Sequence, residues 1–123
     1  MISSSSNSET VDANHGLNFG NFGDIAIGLS CGGSPGNFVR VLLFNESGGD
    51  GTLNFLYSDG STLHASGTSL ANNVEALIDS NNGRLEGQFI LAGAGAVTTL
   101  NMHAFKGTNS GCEITGTAVK ATL

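Results

Sequence analysis

The chain reads as an all-β protein, an antiparallel β-sandwich of about eight strands with a jelly-roll-like or other Greek-key connection. Three observations predict this. Charged residues make up only 11% of the 123 positions, whereas glycine supplies 19 and Asn, Ser and Thr together 37. That composition suits short strands joined by tight turns and suits solvent-facing helices poorly. Apolar residues alternate with a period of two in one segment after another. Turn signals separate those segments at intervals of roughly 8 to 15 residues. Leu, Ile, Val and Phe number 32, enough to build a core in a chain of single-domain length.

Residues 1–12 read as a flexible tail and residues 13–123 as one β-sandwich domain. The opening "MISSSSNSET" has neither the basic region nor the apolar core of a signal peptide. "DIAIGLS" places Ile25, Ile27 and Leu29 on one face. "CGGSPGN", with the single proline Pro35, makes the next connection. In "NFVRVLLF", Val39, Val41 and Leu43 share one face and Phe38, Leu42 and Phe44 the other, the pattern of a central strand. "ESGGDG" is a turn, and "TLNFLY" sets Leu53, Phe55 and Tyr57 on one side. Asp59-Gly60 in "SDGS" then marks a hairpin tip, since both residue types tolerate positive φ, and "TLHAS" returns beside the first arm.

"VEALIDS" carries two competing patterns. Val74, Ala76 and Ile78 alternate as in a strand, whereas Leu70, Val74, Leu77 and Ile78 recur as on a helix with Ser69 as its cap. The β context and the Asn-Asn-Gly turn at 81 to 83 favour the strand. "RLEGQFILAG" sets Leu85, Phe89 and Leu91 against Glu86 and Gln88. "AVTTLNMHAFKG" and "CEITGTAVKATL" complete the set with two further alternating segments.

The formal charge is −6, with Arg40, Arg84, Lys106 and Lys120 the only basic residues besides histidine. Such a surface repels the phosphates of nucleic acid and of anionic lipid. No run of 18 apolar residues is present, so no transmembrane helix is expected. Cys31 and Cys112 are the only cysteines. Sequence leaves a disulfide and two free thiols equally open, because Cα separation decides between them.

Catalytic and metal motifs fail on spacing. An EF-hand loop begun at Asp50 meets Leu53 and Phe55 where oxygen ligands belong. "GLSCG" and "GGSPG" match the Gly-x-Ser-x-Gly of a nucleophile elbow around Ser30 and Ser34, but a strand follows where the elbow needs a helix. His15, His64 and His103 show no grouping for zinc. Carboxylate pairs for glycoside hydrolysis, Glu75 with Glu86 or Glu86 with Glu113, require neighbouring strands. Polar end loops offer Asp24, Asp50, Asp59 and Asn82 as ligand-binding positions, for a sugar or for a calcium ion bridging two loops. Phe19 and Phe22, in a Gly/Asn-rich stretch outside any evident strand, must either plug the end of the domain or dock on a second subunit. "NES" at Asn45 to Ser47 is a glycosylation acceptor if the chain is secreted.

The stretch "GTLNFLYSDGSTLHASG" resembles small bacteriophage virion proteins that decorate capsids or attach to them. The likeness covers roughly Phe38 to His64 and the final ten residues, "ITGTAVKATL" among them. The arginine-rich strand of that group is replaced here by "TTLNMHAFKG". The resemblance implies a non-enzymatic structural β protein, trimeric or docked on a symmetric shell, with no catalytic residues to carry over. The expectation is therefore a structural or attachment protein forming a homo-oligomer, in a virion or outside the cell, without a cofactor. The alternative is a lectin-like carbohydrate-binding module using its end loops, with calcium as a ligand there.

Overall fold

The computed structural model describes residues 2–11, 16–32, 38–80, 82–106 and 111–123. They form ten strands: β1 (Ile2–Val11), β2 (Gly16–Phe22), β3 (Ile25–Cys31), β4 (Val39–Asn45), β5 (Gly51–Ser58), β6 (Leu63–Leu70), β7 (Glu75–Ser80), β8 (Arg84–Gly93), β9 (Ala96–Lys106) and β10 (Cys112–Thr122). One sheet has six strands in the order β1-β10-β9-β8-β5-β6, the other four in the order β2-β3-β4-β7. Every pairing is antiparallel. The two sheets stack as a sandwich, the arrangement expected of strands with one apolar face each.

Eight of the strands coincide with the alternating segments of the sequence. The contested "VEALIDS" is strand β7, with Ile78 buried against the core and Leu77 facing out. The other two strands correct the expectation of eight. Residues 2–11, expected as a tail, pair with β10 along all ten positions, from Ile2 opposite Ala121 to Val11 opposite Cys112. A serine run shows no hydrophobic alternation, but a ladder is made by backbone groups and needs none. The connection around Pro35, together with His15 and Ser34, lies outside the described residues.

Strand β2 explains the second miss. Phe19 and Phe22 are three positions apart, so an unbroken strand would point them to opposite faces. The register slips between Asn18 and Gly20, where Gly20 adopts φ 119°. This bulge turns both rings inward. They stack with centroids 5.0 Å apart and are almost wholly buried. Both therefore belong to the core of their own chain, and the expectation that they form a subunit interface is corrected.

Valines 39 and 41 with Leu43 on β4 face Leu85, Phe89 and Leu91 on β8 and Leu100 on β9 across the interior. Cys31, at the end of β3, is bonded to Cys112, at the start of β10. This disulfide ties the two sheets together. Because it closes a loop spanning 81 positions, the chain-entropy contribution is about 4 kcal/mol.

One row across the inner face of the six-stranded sheet contains two glycines in close quarters. The register aligns Asn7, Gly116, Met102, Gly87, Tyr57 and His64. A Cβ at Gly116 would come within 3.2 Å of the Phe19 ring and 3.3 Å of the Phe22 ring, and one at Gly87 would meet the Leu56 carbonyl and Tyr57. Both positions thus admit no side chain without a shift of their neighbours.

Candidate functional site

The end-loop residues singled out from the sequence do not converge. Asp50 precedes β5 and Asp59 follows it. Eight residues of strand lie between them, which sets them roughly 30 Å apart. Asp24, in the β2–β3 turn, is at the Asp50 end, since the backbone of Glu46 donates to the Asp24 carbonyl at 2.8 Å. Asn82 is at the Asp59 end, where Ser80 Oγ donates to the Asp59 carbonyl at 2.8 Å and accepts from the Asn82 backbone at 3.2 Å.

Each aspartate already has structural work. Asp24 is buried, and its carboxylate accepts a hydrogen bond from Lys120 Nζ at 2.7 Å. Its backbone N–H donates to the buried Thr98 hydroxyl at 3.1 Å. Asp50 Oδ1 accepts from the Asn72 backbone at 3.0 Å, and Asn72 Oδ1 in turn accepts from Gly48. Asp59 folds the β5–β6 loop around itself, with Oδ1 accepting from Ser61 at 2.9 Å and Thr62 at 2.7 Å. Only Gly60 of the Asp-Gly pair takes positive φ, so the loop is built on aspartate side-chain bonds rather than on a two-residue primed turn. Asp59 Oδ2 lies 2.9 Å from His64 Nε2. The His64 bond, helped by the two backbone donors, lowers the Asp59 pKa to about 2. Among the described residues, no group of three or more His, Cys, Asp or Glu is arranged to hold a metal ion.

Asn45 is the hub of the first end and was legible in sequence only as a glycosylation acceptor. It is fully buried. Its amide donates to the carbonyls of Gly49 at 3.0 Å and Leu70 at 2.8 Å, while Oδ1 accepts from Ser47 at 2.9 Å. In the folded chain that amide is closed to a glycan.

The carboxylate pairs proposed for hydrolysis are also separated. Glu75 lies beside Phe44 on the outside of the four-stranded sheet, and Glu86 on the outside of the other. Glu86 and Glu113 share a face, but β9 runs between their strands. His103 is on the outer face of the six-stranded sheet, whereas His64 turns inward to stack on Tyr57 with centroids 4.7 Å apart.

The outer face of the six-stranded sheet holds an open trough of about 700 Å³. Two rows of side chains line it. Leu56, Gln88, Asn101 and Thr117 lie side by side on β5, β8, β9 and β10, and Ser58, Glu86, His103 and Thr115 form the next row. Sequence parity sets Glu86 and Gln88 opposite the apolar face of their segment, but pairing β5 with β8 required the fold. The row members stand about 4.8 Å apart and the rows about 7 Å. Gln88 Nε2 approaches Asn101 Oδ1 at 3.5 Å. His103 Nε2 is shielded from solvent with no hydrogen-bond partner, and Glu86 Oε2 is 3.9 Å away. Leu63 and Leu56, both exposed, form an apolar shelf at one end.

A second feature lies at the sheet's edge. Strand β6 reads "LHASGTSL". Its outward residues Leu63, Ala65, Gly67 and Ser69 are exposed, and so are Ser66 and Thr68 on the inner side. The four-stranded sheet covers only its last residue, Leu70, which is buried. No family model, no curated protein and no solved structure matches the chain.

Proposed function

We propose that this is a non-enzymatic structural or attachment protein that self-associates edge to edge through β6. One observation carries the reading. Among the described residues no strand pairs with the outer edge of β6, and the strand is largely open on both faces, yet it contains no Lys, Arg, Asp, Glu or Pro, and its pairing with β5 has no bulge. Proteins normally protect such an edge with a charge, a proline or a bulge, because its free N–H and C=O groups template another strand. The four-stranded sheet of the same chain follows that rule. Its edge β2 is bulged, and its edge β7 carries Glu75 and Asp79. An antiparallel pairing of two β6 strands centred on Ser66 sets no like charges opposite one another.

The role we assign is that of a building or attachment element of an extracellular assembly such as a virion shell. The inter-sheet disulfide supports an oxidising setting, and the virion-protein resemblance of the β5–β6 hairpin supports the class. In topology we read a Greek-key variant, because β4 pairs with β7 in one sheet while their chain neighbours β5 and β8 pair in the other. Light scattering behind size exclusion tests the proposal. A mass of two chains corresponds to two-fold β6–β6 pairing. A mass of three corresponds to β6 joined to β1 of the next copy, the closed arrangement that the resemblance implies. A monomer at every concentration overturns the reading.

A further inference from the structure

We infer that the trough on the outer face of the six-stranded sheet is a binding site for a neutral saccharide. This goes beyond self-association and does not depend on it, because the trough lies on the sheet's face and the proposed contact along its edge.

The trough has the volume of a small-molecule site. Its exposed lining is mostly apolar, and set in it are donors and acceptors: the amides of Gln88 and Asn101, the hydroxyls of Thr115 and Thr117, the Glu86 carboxylate and the His103 imidazole. An amide both donates and accepts, as does a sugar hydroxyl, so adjacent ring hydroxyls can bridge neighbouring side chains in a row. The spacing between rows matches the width of a pyranose ring. Among the described residues no lysine or arginine lines the trough, and Glu86 adds negative charge to an acidic chain. Phosphate, sulfate and carboxylate ligands are therefore disfavoured.

Glu86, half exposed on the same lining, offers its carboxylate as an acceptor for a ligand hydroxyl. The shelf of Leu56 and Leu63 offers an apolar surface for the C–H face of a ring. The ring of Tyr57 is unavailable for stacking, because it points to the inner face against His64 and Phe89. Phe105, exposed on the same face and stacked on His103, stands beside the trough and not among its lining residues, so the site binds weakly.

The test is a titration of the isotope-labelled full chain with neutral oligosaccharides of glucose, galactose, mannose and N-acetylglucosamine, each to about 10 mM, the range of weak single-site binding. At least one sugar is expected to shift the side-chain amide signals of Gln88 and Asn101 and the ring signals of His103. Asn101→Ala and Gln88→Ala each remove surface hydrogen-bonding groups without touching the core, and each is expected to weaken binding about tenfold. Unchanged spectra with all sugars would overturn the inference. So would shifts confined to the end loops or the four-stranded sheet, or an affinity unaltered in both variants. Binding of an extended peptide in place of every sugar would also overturn it. None of these results bears on the mass measured by light scattering.

Discussion

His64 Nε2 lies 2.9 Å from Asp59 Oδ2, closing the mouth of the β5–β6 hairpin. The same imidazole stacks on Tyr57, which joins the polar loop to the aromatic row of Phe55, Tyr57 and Phe89. The base of the β6 strand is thereby fixed even though the rest of that strand is open. The Asp59 pKa is about 2, below the ordinary 3.8, through the His64 bond first and the Thr62 and Ser61 N–H groups next. A depressed carboxylate stabilises the fold above its unfolded pKa and loses that contribution as pH falls through the folded value. The stability difference between the wild type and Asp59→Asn should therefore be full above about pH 4 and should vanish as pH approaches 2. Urea unfolding across that range measures it. A difference that stays constant with pH would contradict the assignment.

Asn45 sustains the opposite end. Asn45→Ala removes bonds to Gly49, Leu70 and Ser47 and leaves their groups short of partners in a buried place. A loss of about 2 to 4 kcal/mol is expected, above the usual cost of a single hydrogen bond. The shift in urea midpoint at unchanged slope reads it directly.

The two inner-face glycines should respond differently to a methyl group. At Gly87 the added carbon meets the backbone of β5, whereas at Gly116 it meets ring atoms of Phe19 and Phe22 that can give by a few tenths of an ångström. Gly87→Ala is expected to lose about 2 to 3 kcal/mol and Gly116→Ala about 1 kcal/mol. Thermal unfolding of the two variants checks the order. If Gly87→Ala is the milder change, the sheet is not pinned at that point as described.

Removing the Cys31–Cys112 bond by a double Cys→Ser replacement should cost up to about 4 kcal/mol. The folded dichroism spectrum should be retained at low temperature. Chemical unfolding with and without reductant gives the same comparison in the wild type.

The sequence made eight strands and most of their faces legible, because in β4, β8, β9 and β10 burial follows the period of two. It missed β1, whose serines carry no apolar alternation and whose pairing rests on backbone groups. It missed β2 because the bulge at Gly20 breaks the parity of Phe19 and Phe22. The hairpin tip at Asp59-Gly60 was legible from turn chemistry, but the contact with His64 depends on the registry of β5 and β6. The trough was illegible for a different reason. Its rows join β5 to β8, β9 and β10, and the pairing of β5 with β8 is set by the fold and not by any local signal. The end-loop site was expected because aspartates cluster in turns, but Asp24 is taken up by Lys120, and Asp50 and Asp59 by backbone donors.

Hydrogen exchange along β6 tests the self-association account most directly. The account predicts that the β6 amides pointing away from β5 are protected at high protein concentration, and that they lose this protection on dilution together with the fall in mass. If these amides exchange at the unprotected rate at every concentration, β6 is a solvated edge and the account is contradicted.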